Sequence, residues 1–255
     1  MVMLGCGTSV GVPAIGCGCD VCQSRDPKNN RTRSSVIFGL PEGNLLIDTT
    51  PELRIQLLRE QIGLVHAVAY THEHADHIFG LDDLRLFPFM IEGPVPLYCQ
   101  PQVEDRIRHS FDYAFYDSPE THQGSRPQLV FRTINEQPFE VLGARVIPIP
   151  LQHGSRFNVF GFRIGDVAYC TDVKAIEDSS MSLLVGLDTL VLGALRYTSH
   201  PTHFCIDEAI EVVKVLRPRR TYLTHMSHDI DYSTAINALP TGMEPGFDGL
   251  KIKLV

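Results

Sequence analysis

No apolar run in the 255 residues approaches the ~20 that a membrane span needs. The opening Met-Val-Met-Leu-Gly has neither a basic region nor a long apolar stretch, so no export signal is read and a cytoplasmic location is expected. Basic side chains are the minority, 22 against 30 acidic ones, for a formal charge of −8. That balance disfavours a protein that grips nucleic acid by a general basic surface. Internal repeats, low-complexity tracts and linkers are also missing, and one domain over 1–255 is expected. With 44% apolar residues the chain can offset the entropy of ordering, which excludes disorder over most of its length.

What is present is concentrated. The seven cysteines do not suggest a disulfide framework: three crowd into Cys17-Gly-Cys19-Asp-Val-Cys22, and Cys6, Cys99, Cys170 and Cys205 are scattered, as buried thiols would be. The eleven histidines fall mostly into a few short patterns.

The coarse reading alternates strands with amphipathic helices. Residues 34–38 and 45–48 read as paired strands around the turn composition Pro41-Glu-Gly-Asn44. A helix is expected from Pro51 to Gln61, with Leu53, Leu57 and Leu58 on one face, and another from Gln102 to Phe115. The clearest helix spans Ile206 to Leu216 and stops before Pro218. Strands are read at 67–70, 144–147, 159–169, 190–192 and 221–224, with an alternating one at 250–254. Asp112 to Arg126 reads as a loop able to border a pocket.

The strongest chemical signal is Thr71-His72-Glu73-His74-Ala75-Asp76-His77, directly after a buried strand. In an extended segment His72 and His74 point the same way, and a turn into a helix lets Asp76 and His77 converge nearby. Imidazoles and carboxylates so paired suit two adjacent ions of Zn, Mn or Fe type. This segment resembles the His-x-His-x-Asp-His signature of the metallo-β-lactamase superfamily, and His153, Asp172 and His225 follow at strand ends in that superfamily's order. The resemblance implies an α/β fold, an αββα sandwich of two mixed sheets with helices outside. It also implies that His72, His74 and His153 hold one metal, that Asp76, His77 and His225 hold a second, and that Asp172 bridges them, the ions being Zn or Mn. Asp48 matches an aspartate that supports the ligands.

The spacing Cys17-x-Cys19-x-x-Cys22 suits a structural zinc that needs a fourth ligand. With the Gly-rich turn from Gly5 to Pro13, it is similar to the PhnP family of phosphoribosyl cyclic phosphodiesterases. That family completes such a site with a histidine three residues past the last catalytic ligand, which here is His228. It also places a proton-donating histidine before the helix that begins near Ile206. His203 stands there, with His200 as its competitor. His203 and Asp76 are therefore expected to be catalytic. Arg33 and Arg196 are weaker candidates for holding a second phosphate.

The function so implied is hydrolysis of a small phosphodiester, a sugar cyclic phosphate by resemblance, with two catalytic ions and one structural zinc. No membrane or nucleic-acid partner is expected, and a homodimer is expected from the family alone. A transfer-RNA 3′-end endonuclease is the runner-up. It would share the metal ligands, but no Gly/Lys-rich gripping insertion is seen. A non-catalytic metal-binding module is the reading outside enzymology, against which the full ligand set with an acid candidate argues. Relatives in pyrroloquinoline quinone synthesis share the cysteine pattern but typically lack the complete dinuclear set.

Overall fold

A computed structural model describes residues 1–116, 122, 124–155 and 157–254. Two mixed sheets face each other. The first orders β1 (Val2–Gly5), β2 (Ser35–Leu40), β3 (Gly43–Ile47), β4 (Ala67–Ala69), β5 (Val95–Cys99) and β6 (Leu129–Thr133) in chain sequence. The second holds β7 (Phe139–Val141), β8 (Ala144–His153), β9 (Phe157–Ile164), β10 (Val167–Cys170), β11 (Thr189–Gly193), β12 (Arg220–Thr224) and β13 (Met243–Pro245), again in chain sequence from one edge to the other. Each sheet starts as an antiparallel meander and continues in parallel, from β3 and from β10.

Side-chain alternation explains the layers. Val36, Phe38, Leu45, Ile47, Ala67 and Ala69 pack in one core with Val146, Leu151, Val159, Leu190 and Leu192 from the other sheet. Ile37, Leu46 and Val68, one position out of phase, turn to the opposite face and pack in a second core with helical residues. Those come from α1 (Leu53–Arg59), α2 (Ala75–Ile78), α3 (Phe87–Met90) and α4 (Pro101–Ser110). On the second half lie α5 (Asp178–Leu183), α6 (Ile206–Leu216) and α7 (Tyr232–Ala238).

The expected 206–216 helix is found with its bounds intact. The Glu208 carboxylate accepts from the Cys205 N–H at 2.8 Å, and the helix ends on left-handed Arg217 just before Pro218. Four readings need correction. Leu58 is 62% exposed while Leu53 and Leu57 are buried, because it lies about 100° round the helix from Leu57. Residues 159–169 form two strands, since left-handed Gly165 reverses the chain between β9 and β10. The 102–115 helix ends at Ser110, with a short 3₁₀ turn over Asp112–Ala114; residues 117–121 and 123 of the loop read there lie outside the described residues. The alternating 250–254 segment falls short of a full strand but lies antiparallel beside Met1–Met3: Lys251 bridges Val2, the Met3 N–H donates to Leu250 O at 2.9 Å, and Met1 and Ile252 exchange bonds at 2.8 Å.

The turn leading into this segment is held by Asp248, whose role no sequence pattern announces. Its carboxylate accepts from the Cys6 and Thr32 backbone N–H groups at 3.1 and 2.8 Å, the Thr32 hydroxyl at 2.7 Å and Arg59 Nη1 at 3.0 Å. Asp248→Ala strands these donors, largely out of water. The expected loss is about 2–4 kcal/mol of unfolding free energy, measured by urea titration. A loss below about 0.5 kcal/mol, the range of an ordinary surface substitution, would contradict this.

Candidate active site

The ligand candidates gather because their strands end at one edge. β4 runs into Thr71 and His72; His74 precedes the first turn of α2, which carries Asp76 and His77. His153 closes β8, Asp172 follows β10 and His225 follows β12. Open α/β sheets commonly place their sites at the carboxyl ends of strands. Two backbone bonds fix α2 to the end of β3: Thr49 N–H to His77 O at 2.8 Å and Gly80 N–H to Thr49 O at 2.9 Å. Glycine is needed at 80, where a Cβ would lie 1.9 Å from Thr50 O. Across the sandwich, the Phe160 N–H donates to Thr71 O at 3.0 Å and joins the two sheets beside the site.

The donor atoms converge. His72 Nε2 and His74 Nδ1 are 2.9 Å apart, and with His153 they form one group of neighbouring ligand atoms. Asp76, His77 and His225 form another. Asp172 Oδ2 lies 3.3 Å from both His77 Nε2 and His225 Nδ1, while its Oδ1 lies 4.0 Å from His153 Nε2 and 3.8 Å from His203 Nδ1. The His77 Nε2 and both His225 ring nitrogens are buried without a hydrogen-bond partner despite these neighbours. Donors 3.3 Å apart that do not hydrogen bond suit a shared ion, because ligands about 2.1 Å from a tetrahedral centre sit about 3.4 Å apart.

The remaining ring nitrogens are fixed from behind. Asp48 Oδ2 accepts from His77 Nδ1 and the Thr71 hydroxyl, both at 2.8 Å, and its Oδ1 accepts from the Thr71 N–H at 2.8 Å. With that hydroxyl committed to Asp48, His72 Nδ1–H donates to Thr71 Oγ1 at 2.9 Å. His153 Nδ1–H donates to Thr202 O at 2.9 Å. These bonds set the tautomers, so that the Nε2 lone pairs of His72, His77 and His153 face the cluster. Thr71 and Thr202 were missed in the sequence, although Thr71 directly precedes the histidine run. Asp48, Asp172 and His225 each adopt left-handed backbone, with φ of 65°, 50° and 57°. Strained non-glycine residues of this kind cluster at functional sites.

The electrostatics favour a cation. Burial resists protonation of His77, but Asp76, Asp172 and Asp48 outweigh it and raise its proton affinity well above normal. Burial opposes the charge on Asp172, yet His225 and His77 hold its carboxyl well below the usual range. The donor set of imidazoles and carboxylates fits divalent metal.

A family model described as the beta-lactamase superfamily domain matches residues 43–226, which include every donor just described. The chain belongs to the metallo-β-lactamase superfamily. Within it the chain is PhnP-like: a crystal structure described as a new diphosphatase from the PhnP family superposes with a TM-score of 0.92 at 41% identity, covering 99% of this chain and 96% of that one. Zn(2+)-bound PqqB from Methylobacterium extorquens shares the fold, with a TM-score of 0.81 at 20% identity over 99% of both chains. An octanoyltransferase of Porphyromonas gingivalis is 35% identical over 253 residues, 98% of this chain. The chain spans about half the length of that relative, 50%.

The fold also brings the cysteine motif to His228, three residues past His225. The Cys17, Cys19 and Cys22 sulfurs lie 3.1, 3.6 and 3.5 Å from His228 Nδ1. The Cys22 N–H donates to Cys19 Sγ and, as the main cause, brings that thiol down to about 7. Burial pushes Cys22 up to about 11. Three thiols this close shed only some of their protons unaided, whereas a bound cation would favour three thiolates. Arg31, fully buried and unremarked in the sequence, donates to Ser227 O at 2.9 Å and Ile230 O at 2.7 Å, bracketing His228.

His203 and His200 separate clearly. His203 stacks on His225 with ring centres 4.7 Å apart and lies against Asp172. His200 sits farther out, where its Nδ1 accepts from the Thr202 N–H at 3.3 Å. Burial, then His225, pushes His203 down to about 3. Arg33 pairs with Glu52, and Arg196 donates to the Thr198 and Ser199 carbonyls. Neither guanidinium is bonded to the His/Asp cluster.

Proposed function

We propose that residues 1–255 form one metal-dependent phosphohydrolase domain that cleaves a small phosphodiester, with a sugar cyclic phosphate as the substrate class. The observation that carries this reading is the convergence of His72, His74, His153, Asp76, His77, His225 and Asp172, with buried ring nitrogens left unbonded and His203 alongside. His72, His74 and His153 would hold one ion, Asp76, His77 and His225 a second, with Asp172 shared. Cys17, Cys19, Cys22 and His228 would hold a structural zinc. Divalent ions at the His/Asp site, Zn or Mn by donor type, would supply Lewis acidity and a water that ionises near neutral pH.

The chain's own residues do the rest. Asp48, Thr71 and the Thr202 carbonyl keep the imidazoles aimed, so little reorganisation accompanies reaction. His203 faces the same space from the other side of Asp172 and would protonate the departing oxygen. Its affinity for that proton rises when an anionic phosphate lies beside it.

His203→Ala should lower kcat on an alkyl phosphodiester by about 10²–10⁴-fold, the usual worth of a general acid. With p-nitrophenyl diesters the loss should be much smaller, because p-nitrophenolate departs without a proton. Equal losses on both substrates would remove His203 from that role.

A second reading is cleavage of a diphosphate, favoured by the description of the 41%-identical structure as a diphosphatase. A screen of cyclic phosphates, linear diesters and diphosphate diesters with Zn and with Mn decides between them. Turnover of precursor transfer RNA alone would overturn both, and the charge of −8 works against that outcome.

A further inference from the structure

A pocket of about 270 Å³ opens directly beside the His/Asp cluster, lined by Glu73, His74, Ala75, Phe79, Arg106, Ser110 and Phe157. It shares the His74 ring with the cluster. One edge of that ring presents Nδ1 to His72, and the ring packs edge-on against Phe157 at 4.6 Å. A group attached to a phosphorus held at the cluster can extend past His74 into this pocket. The volume lies just below the ~300–1,000 Å³ of drug-sized small-molecule sites, so it suits one small group such as a nucleoside.

The lining has a definite chemistry. Phe79 is 53% exposed, a large apolar surface left to solvent beside a polar site, and its ring is braced edge-on by Phe111 at 5.9 Å. Phe157 supplies the other aromatic wall. Arg106 and Ser110 stand one turn apart on α4, on the flank of the stripe that buries Val103 and Ile107, at the edge of the helix's packed face. Among the described residues Arg106 makes no hydrogen bond and no ion pair, although Glu73 and Asp105 share a neighbouring hollow with it. Arg85, Arg108 and Arg163, by contrast, are committed to protein acceptors. A guanidinium with its donors unspent, lining the same pocket as the His74 of the donor set, is suited to bidentate capture of phosphate. Glu73 gives the pocket one charge of each sign, which places an incoming anion at Arg106.

We propose that this pocket selects a nucleoside diphosphate ester: one phosphate at the His/Asp cluster, the next on Arg106, and the base against Phe79 and Phe157. Arg106 is then a specificity-determining residue of the proposed hydrolase, and the assignment rests on the second, diphosphate-cleaving reading of the neighbouring site rather than on the cyclic phosphate. In the reaction, water adds its oxygen to one phosphorus and the P–O–P bridge breaks there. The bridging oxygen leaves on the other phosphorus, so the products are two phosphomonoesters.

The test compares wild type, Arg106→Ala and Arg106→Lys as metal-loaded protein. ADP-ribose serves as the substrate with two phosphates and a base, and bis(p-nitrophenyl) phosphate as the substrate with one phosphate. In Arg106→Ala the ratio of kcat/KM for ADP-ribose to that for the chromogenic diester should fall about tenfold or more, chiefly through KM, as expected for a lost charge-assisted hydrogen bond. Arg106→Lys should restore part of it. Calorimetric titration with ADP and with adenosine gives a readout apart from turnover: Arg106→Ala should weaken ADP about tenfold and leave adenosine alone. ADP affinity that ignores Arg106, or an equal loss for adenosine, overturns the pocket whatever the enzyme hydrolyses. Arg106-dependent binding of ADP in a protein that hydrolyses no diester would uphold the pocket and overturn the proposed function instead.

Discussion

Asp172→Ala should lower kcat/KM by at least ~10³-fold, since residues that merely support a metal ligand already cost about 10–100-fold. The reason is its reach. Oδ2 stands 3.3 Å from ring nitrogens of His77 and His225, and Oδ1 turns toward His153 and His203. One carboxylate thus faces donors of both proposed ions. Removing it also leaves four crowded imidazoles with less negative charge among them. Asp172→Asn keeps the shape and should lose nearly as much, which separates the charge from packing. Metal content measured by plasma mass spectrometry should fall together with activity. Activity within tenfold of wild type would show that Asp172 is not the shared ligand.

The second large effect is on stability. Cys19→Ser should release one equivalent of zinc and lower the melting temperature by about 10 °C, taking a loss of ~3–4 kcal/mol at ~2–4 °C per kcal/mol for a domain of this size. The motif lies 206–211 residues from His228 along the chain, so an ion there would close a very long loop. It would also fasten the segment three residues beyond His225, which Arg31 already brackets through Ser227 and Ile230. The metals at the His/Asp cluster should stay bound in this variant. A melting temperature within 2 °C of wild type, with zinc content unchanged, would contradict a structural ion at the cysteines.

Much of the site is legible in the sequence. His72, His74, Asp76 and His77 announce themselves because ligands supplied by one segment appear as a spacing. His153, Asp172 and His225 could be placed only through the superfamily's order, since each is a lone residue at a strand end. The Ile206–Leu216 helix is readable because its period and terminating proline agree. Thr202 could not be found, because its contribution is a backbone carbonyl, which no side-chain pattern encodes. Arg106 looked like any charged residue on the wet face of a helix. Its meaning comes from Phe79 and Phe157, which α4 meets only in three dimensions. The 250–254 alternation holds in part: Lys251 and Lys253 are exposed, Ile252 is buried and the segment bonds to Met1 and Met3, but too few pairs form to extend the sheet by a full strand.

The left-handed backbone at Asp48, Asp172 and His225 sets a limit on engineering. Each such non-glycine residue costs about 1–2 kcal/mol. A laboratory selection for heat resistance alone would therefore be drawn toward glycine at these three α-carbons, and every gain would delete a side chain from the cluster. Durability and reactivity compete for the same positions, so hardening this protein is better directed at its outer helices.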